Sequence, residues 1–320
     1  MLRAGVIGLG QMGKNHLRVL NDLRGVKVVG VVDPLEKNLD FQMSIENLVS
    51  LKPDYCVVSV PIVFHLEVTM RLIEAGIHFL IEKPMSQNSE SANQIISESE
   101  RHGVLGAVGY IERNNSAMLK AKELLLQGFL GNLIQISTRR RGPNPNRIKD
   151  VGVIKDLATH DFDGITWLTG LNYKSVYASS YRSNLYGNED LVSCVGTLEN
   201  AINVTSNVDW ITPNKIREIS ILGQNGALKI DTLNSDLIHF QAAEIENSDR
   251  FTSHLRGGFQ GNITNLAFQK KEALQVEHEN FVEYLEGRPA SIATLQEGLQ
   301  VIKVAEATLL SCELNELVYL

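Results

Sequence analysis

Short apolar runs alternate with longer amphipathic stretches over the first third of the chain. The runs are continuous and rich in β-branched residues, which is typical of strands covered on both faces in a parallel sheet. The stretches between them carry apolar residues at helical spacing. The pattern predicts strands at residues 4–8, 26–32, 55–60, 78–82 and 104–109, and helices at residues 15–23, 65–75 and 89–102.

The pattern changes after Arg113, where apolar and polar positions begin to alternate within the predicted strands. This alternation indicates a mainly antiparallel sheet with one face on the core. The strands are predicted at residues 133–139, 175–183, 191–199, 201–209 and 216–223, and helices at 117–126, 153–168, 277–285 and 295–310. We expect an α/β chain of two domains, a doubly wound parallel sheet at residues 1–112 and an α+β domain with an open sheet at residues 113–320.

The composition is that of a folded globular protein, with 43% hydrophobic and 21% charged residues. A net charge of -7 opposes general attraction to nucleic acid or to an anionic membrane. Three cysteines are too few for a disulfide framework and favour a reducing compartment. We expect no signal peptide ahead of the first strand, and no apolar run approaches the ~20 residues of a membrane helix. We expect a soluble, cytoplasmic protein.

A glycine motif, GLGQMG, occupies residues 8–13 between the first predicted strand and the first helix. In a dinucleotide-binding (Rossmann) domain, Gly8 would form the tight turn, Gly10 would admit a pyrophosphate and Gly13 would let helix and strand pack closely. Gln11 and Met12 would open the helix whose N-terminus faces the phosphates.

Asp33 ends the second strand, twenty positions after Gly13. At this spacing a carboxylate accepts hydrogen bonds from the adenosine ribose, and it would repel the 2'-phosphate of NADP. The sequence therefore favours NAD as the cofactor. The alternative is an ordinary turn with a surface aspartate.

Glu82, Lys83 and Pro84 close the fourth strand, at the edge where open α/β sheets bind ligands. Pro84 restricts the conformation of Lys83 and would hold its ammonium in one direction. The alternative is an exposed charge at a strand end.

Asp156 and His160 lie four residues apart in the predicted helix, with Asp163 further along. An imidazole can accept a hydroxyl proton near neutral pH, and Asp156 could orient it. The alternative is a surface or capping pair. No metal is expected, because no ligand cluster with suitable spacing lies nearby.

Five positive charges precede this helix: Arg139, Arg140, Arg141, Arg147 and Lys149. Arginine's planar fork suits phosphate oxygens, so the cluster could hold a phosphorylated substrate. Solvation, or pairing with acids at a subunit contact, is an equally good interpretation.

Taken together, these motifs resemble the Gfo/Idh/MocA oxidoreductase family over nearly the whole chain. The landmarks are the glycine turn, Asp33, Ser59-Val60-Pro61 with His65, Glu82-Lys83-Pro84, the Asp156/His160 helix and the segment from Glu272 to Phe281. The resemblance implies a catalytic group of Lys83, Asp156 and His160, and adds Val60, Pro61, His65, Glu82 and Lys83 to the cofactor-binding residues.

Residues 109–113, 140–143 and 150–161 are similar to the UDP-N-acetylglucosamine 3-dehydrogenase branch of this family. The branch implies oxidation of C3 of a nucleotide sugar, with Tyr110, Arg113 and Arg141 joining the catalytic group in substrate binding. Two features depart from it. Asn114 and Ser116 replace its usual Phe and Pro, and residues 34–44 are too few for its second crossover helix.

Three other functions remain open at this point. The chain could oxidise a free polyol, inositol or sugar, it could reduce a keto product, or it could be a catalytically silent NAD-linked regulator. The alternating strands after residue 175 should leave one sheet face in need of cover, so we expect a homodimer or homotetramer through that face.

Overall fold

The computed structural model describes residues 1–35, 41–144, 151–183, 187–242 and 261–320. Contacts within the chain divide it into two compact units. The first unit combines Met1–Asn114 with Lys271–Glu306, and the second combines Asn115–Lys270 with Ala307–Leu320. Each unit has its own sheet.

The first unit contains six helices and six strands among its described residues. The helices are α1 (Gln11–Asp22), α2 (Ile45–Ser50), α3 (His65–Glu74), α4 (Ser89–His102), α7 (Ala273–Leu285) and most of α8 (Leu295–Leu314). The strands are β1 (Leu2–Ile7), β2 (Val26–Val32), β3 (Tyr55–Val58), β4 (His78–Glu82), β5 (Gly106–Gly109) and β14 (Ala293–Thr294).

The sheet of the first unit has the strand order β14-β5-β4-β3-β1-β2. Strands β1 to β5 pair in parallel, and only the two-residue edge strand β14 is antiparallel. The chain leaves β1 toward β2 on one side and returns to β3 on the other, so the strand order reverses beside β1. Ligands of doubly wound sheets bind at the carboxyl ends of the strands next to such a reversal.

The helix α7 joins the first unit through its aromatic residues. Phe281 is fully buried, and its ring packs edge-on against Tyr55 of β3 with ring centroids 5.3 Å apart. The sequence interpretation placed every residue after 112 in the second domain, whereas residues 271–306 group with the first unit. The physical reason is this burial of α7 against the parallel sheet.

The second unit contains a nine-stranded sheet ordered β13-β12-β11-β10-β6-β9-β8-β7-β15. Its helices are α5 (Ser116–Leu126) and α6 (Thr159–Thr169). Its strands are β6 (Leu133–Arg141), β7 (Tyr173–Tyr181), β8 (Leu191–Leu198), β9 (Asn203–Asp209), β10 (Ile216–Gly223), β11 (Gly226–Asp231), β12 (Asp236–Gln241), β13 (Ile263–Asn265) and β15 (Val318–Tyr319). Among the described strands of this sheet, only β6 and β9 pair in parallel. The sheet is mainly antiparallel, so the predicted fold class is confirmed.

Burial alternates along the strands of this second sheet. In β8, Val192 and Cys194 are buried, while the side chain of Val195 stands on the other face and is exposed. The inward residues therefore build the core with α5 and α6, and the opposite face is open in the part of the chain that the structure describes, where Val195 is exposed. No helix among the described residues is long and apolar enough to cross a membrane.

Candidate active site

The glycine turn of the first unit has the geometry that a dinucleotide requires. Gly8 has a φ of +91°, and a Cβ there would lie 2.6 Å from the main chain of Ser59. A Cβ on Gly13 would lie 1.9 Å from the carbonyl oxygen of Gly8. A Cβ on Gly10 would meet no atom within 4 Å, so packing does not require this glycine. This open space is what close approach of a phosphate would need, so the turn fits the cofactor.

Two polar side chains hold this turn in shape. The Ser59 hydroxyl donates to the Gly8 carbonyl at 2.7 Å, and the Leu9 N–H donates to Asp33 Oδ2 at 2.6 Å. Asp33 also accepts from the Leu35 N–H at 2.8 Å. Asp33 thus lies beside the turn, as predicted, whereas Ser59 was expected only as a family landmark and not as a site residue. The sequence feature that could have identified Ser59 is its hydroxyl directly after the apolar strand β3.

The helix α1 begins at Gln11, directly after Gly10. Gln11 is exposed and Met12 is half-buried. The Lys14 N–H closes the first helical turn on the Gly10 carbonyl at 3.0 Å. The predicted cofactor residues 8–13 therefore lie together at the carboxyl end of β1.

His65 lies at the start of α3 and connects two loops of the same sheet edge. Its Nε2 is 2.9 Å from the Val60 carbonyl, and its Nδ1 is 3.1 Å from the Pro84 carbonyl. Burial lowers the pKa of His65, and the nearby main-chain oxygens only partly oppose this. Both ring nitrogens face the main chain, so His65 shapes the loops that carry Val60, exposed Pro61 and Lys83.

Glu82 and Lys83 lie where β4 ends, and the peptide bond from Lys83 to Pro84 is cis. Glu82 Oε1 is 2.9 Å from His16 Nε2, and Oε2 accepts from the main-chain N–H of Lys83 at 3.1 Å. Burial alone would raise the pKa of Glu82. The hydrogen bond from His16 and the charge of Lys83 outweigh burial and lower it. An ionised carboxylate therefore lies beside half-buried Lys83.

Tyr110 and Arg113, two predicted substrate residues, are buried inside the first unit at 1% and 2% exposure. Arg113 Nη1 donates to Glu297 Oε1 at 2.9 Å and to the Ile292 carbonyl at 3.2 Å. This ion pair ties the end of the first sheet to α8. The structure therefore gives Arg113 a role in packing that the sequence interpretation did not consider.

Asp156 and His160 belong to the second unit and are both half-buried. The predicted continuous helix begins instead with a π-helical turn over Ile154–Ala158, and α6 follows from Thr159. The Asp156 N–H donates to the Gly152 carbonyl at 3.0 Å. The wider turn still keeps Asp156 and His160 within one turn of each other, and such turns are frequent at functional sites. Asp163 is fully buried.

Arg139, Arg140 and Arg141 of β6 each face an acid within the second unit. Arg139 pairs with Glu218, Arg140 Nε donates to Asp161 Oδ1 at 2.7 Å, and Arg141 Nε lies 3.5 Å from Asp209 Oδ2. The acids that face these three arginines belong to the same chain and not to a subunit contact. Arg141 keeps 35% of its side chain exposed. Arg147 and Lys149 lie outside the described residues.

The Arg140–Asp161 pair is buried at both ends and ties α6 to the sheet. Replacing Arg140 with Leu should lower the free energy of unfolding by about 3 kcal/mol, since it leaves a buried carboxylate without this partner. Arg139→Leu removes a guanidinium that is half exposed and should cost less than about 1 kcal/mol. Urea unfolding of the two variants measures the difference. Equal losses would contradict the assigned burial.

Among the described residues, no three His, Cys, Asp or Glu side chains form a group that could hold a metal ion. The candidate chemistry therefore consists of two sets of residues. One set is the glycine turn with Asp33, Glu82 and Lys83 in the first unit, and the other is Asp156 with His160 in the second. A hydroxyl oxidation needs a hydride acceptor, a base for the proton and a group that polarises the oxygen.

Family models match both parts of the chain. Residues 2–110 match the NAD-binding Rossmann fold of the oxidoreductase family, and residues 122–320 match its C-terminal alpha/beta domain. Together these two matches cover most of the chain.

Individual relatives share about 30% of their aligned residues with this chain. UDP-N-acetylglucosamine 3-dehydrogenase from Acidithiobacillus ferrooxidans is 28% identical over 291 residues, 88% of each chain. An inositol 2-dehydrogenase/D-chiro-inositol 3-dehydrogenase from Halalkalibacterium halodurans is 31% identical over 195 residues, which is 56% of each protein.

Solved structures agree on the fold. The Acidithiobacillus ferrooxidans enzyme superposes with a TM-score of 0.84 at 24% identity over 98% of each chain. An aldose-aldose oxidoreductase from Caulobacter crescentus gives a TM-score of 0.84 at 18% identity over 100% of this chain and 99% of that one. The chain therefore belongs to the Gfo/Idh/MocA family of oxidoreductases, whose members include dehydrogenases acting on sugar and polyol hydroxyls.

Proposed function

We propose that this protein oxidises a secondary hydroxyl of a sugar with NAD, and that the hydroxyl is on C3 of a UDP-N-acetylhexosamine. The choice of substrate rests on how much of the chain aligns with each relative. The UDP-N-acetylglucosamine 3-dehydrogenase aligns over 88% of this chain, including most of the second unit, whereas the inositol enzyme aligns over 56%. Substrate specificity is a property of the whole site, so the longer alignment is the better guide.

The proposed roles follow from the chemistry of the side chains. NAD, when bound, accepts the hydride from the sugar carbon. His160 accepts the hydroxyl proton, Lys83 polarises the hydroxyl oxygen through its ammonium, and Asp156 orients the imidazole. Glu82, ionised at the base of Lys83, holds the main chain of that lysine.

Arg141 is the candidate contact for the diphosphate of the nucleotide sugar. Its side chain is 35% exposed and its guanidinium lies 3.5 Å from Asp209, a loose pair that leaves donors available. Arg140 is nearly fully buried against Asp161 and has no such access. Tyr110 and Arg113, also implied by the resemblance, are buried and support the site from within the first unit.

The choice of NAD over NADP rests on Asp33. Replacing Asp33 with Asn removes the negative charge and keeps an oxygen that can accept from the Leu9 N–H, so the glycine turn should keep its shape. We expect the ratio of kcat/KM for NAD to that for NADP to fall at least about tenfold, because repulsion of the 2'-phosphate is lost. Steady-state kinetics with both cofactors measures this ratio. An unchanged ratio would place the ribose elsewhere.

The substrate is tested by incubating the protein and NAD with three groups of compounds and following nicotinamide reduction by absorbance. The groups are UDP-N-acetylhexosamines, the corresponding free sugars, and inositols. We expect reduction with a UDP-N-acetylhexosamine and at least about a hundredfold lower kcat/KM with its free sugar, since the diphosphate contacts are lost. Reduction only with inositols would establish the second candidate, which the inositol dehydrogenase relative favours. If the protein binds NAD but none of the compounds reduces it, the protein is a regulator.

The open face of the second sheet is the proposed subunit contact. It exposes Tyr177, Tyr181 and Val195 on neighbouring strands, and exposed apolar groups of this kind favour burial between copies of a chain. We expect light scattering to give the mass of a dimer or tetramer, and Val195→Lys to shift it toward the monomer. A monomeric wild-type protein would rule out this contact. The three free cysteines fit the proposed cytoplasmic location.

A further inference from the structure

Three ionisable side chains form a continuous hydrogen-bonded chain inside the first unit. His278 of α7 lies with its Nε2 2.9 Å from Nδ1 of His16 on α1, and Nε2 of His16 lies 2.9 Å from Glu82 Oε1. Both histidines are fully buried. None of the sequence motifs required these two histidines.

The proton positions in this chain can be assigned. Burial lowers the pKa of His278 well below its usual value, so His278 is neutral. Its Nδ1 is buried and has no hydrogen-bond partner among the described residues. A buried N–H without an acceptor is rarer than a buried acceptor without a donor, so the proton belongs on Nε2. His278 then donates to His16, and His16 donates to Glu82.

This arrangement directs two donors in series toward one carboxylate. The other oxygen of that carboxylate accepts the main-chain N–H of Lys83. One oxygen of Glu82 is therefore fixed by His16, and the other fixes the main chain of Lys83. The ammonium of Lys83 is the group proposed to polarise the hydroxyl oxygen. A buried carboxylate that lost the His16 donor would need another partner, and the charge of Lys83 already acts on it.

We propose that His278 and His16 are positioning residues that hold the Glu82 carboxylate and, through it, place Lys83 for the sugar oxidation. This inference rests on the proposed function. In a catalytic triad a buried carboxylate orients a histidine. In this hydrogen-bonded series the roles are exchanged, because two buried histidines orient a carboxylate.

Two amide substitutions of His16 separate the two hydrogen bonds. The glutamine amide reaches the place of Nε2 and can still donate to Glu82, whereas the asparagine amide reaches only the place of Nδ1, next to His278. We expect His16→Asn to lower kcat at least about tenfold more than His16→Gln, with little change in KM for NAD, since a hydrogen bond to a charged group is lost only in the former. Thermal unfolding of both variants shows whether they fold alike.

A second readout does not depend on activity. Competitive acetylation with acetic anhydride, followed by mass spectrometry, compares the reactivity of Lys83 with that of exposed Lys27 in the same molecule. In His16→Asn we expect Lys83 to react at least about threefold more slowly relative to Lys27, because the released carboxylate pairs with its ammonium. His16→Gln should keep the wild-type ratio.

The outcomes are distinguishable. If the wild-type protein oxidises no sugar, the proposed function fails, while the acetylation ratios still test the positioning of Lys83. If the wild-type protein is active and the Asn and Gln variants share the same kcat and the same acetylation ratio, the histidines serve only packing and the inference is overturned. His278→Gln, which keeps a donor toward His16, should lie closer to wild type than His278→Phe by both readouts.

Discussion

Replacing His160 with Asn should lower kcat for sugar oxidation by about 10²–10⁴-fold, the usual contribution of a general base. Asparagine is similar in size to the near half of the imidazole and cannot accept the hydroxyl proton at neutral pH. The affinity for NAD should change less than about twofold, because the glycine turn and Asp33 belong to the first unit and His160 to the second. Steady-state kinetics and titration with NAD measure the two effects.

His102→Asn provides the matched control, since His102 is an exposed histidine at the end of α4. It should leave kcat within about twofold of wild type, as surface substitutions usually do. A His160→Asn variant with the kcat of its control would remove His160 from the mechanism and leave the proton without the proposed acceptor.

Replacing Lys83 with Met should lower kcat by about 10²–10³-fold, because the hydroxyl oxygen loses the ammonium that stabilises its developing negative charge. The main-chain N–H of residue 83 remains, so its hydrogen bond to Glu82 should persist. The loss should therefore report the ammonium itself rather than a rearranged loop. Kinetics with saturating NAD and varied sugar measures it.

Lys27→Met on β2 controls for the general effect of removing a lysine charge, since Lys27 is exposed. It should leave kcat nearly unchanged. If Lys83→Met retained more than about a tenth of wild-type kcat, Lys83 would contribute less than one hydrogen bond to a charged group and could not polarise the substrate as proposed.

The parallel half of the fold could be predicted because its signals are local. The spacing of Gly8, Gly10 and Gly13, the position of Asp33 and the continuous apolar strands all lie within about 110 residues, and the structure reproduces them. Glycine roles in particular follow from backbone geometry, which the turn of Gly8 shows directly with its positive φ.

Contacts between residues far apart in sequence could not be predicted in the same way. Nothing near Phe281 indicates that its ring meets Tyr55, and this contact assigns α7 to the first unit. The pairing of Arg140 with Asp161 likewise appears only after β6 and α6 meet. The sequence of an arginine run does not show whether its side chains bind phosphates or carboxylates.

The spacing of apolar and polar residues also could not predict the shortest strands or the first turn of one helix. The strands β13, β14 and β15 contain two or three residues each, too few to show a period of two. The π-helical turn at Ile154–Ala158 has the same apolar spacing as an α-helix over so short a stretch. Ser59 carries no periodic signal, because its role is to donate a hydrogen bond to the main chain at Ile7 and Gly8.

The central claim is that hydride passes from a sugar carbon to NAD, and an isotope label tests it most directly. UDP-N-acetylglucosamine carrying deuterium on C3 is incubated with the protein and NAD, and the reduced cofactor is analysed by mass spectrometry and NMR. We expect the deuterium on C4 of the nicotinamide ring, whereas a label on C2 of the sugar should not reach the nicotinamide. Keto sugar formed with no deuterium on the nicotinamide, or no reduced cofactor with this or any other labelled sugar, would contradict it.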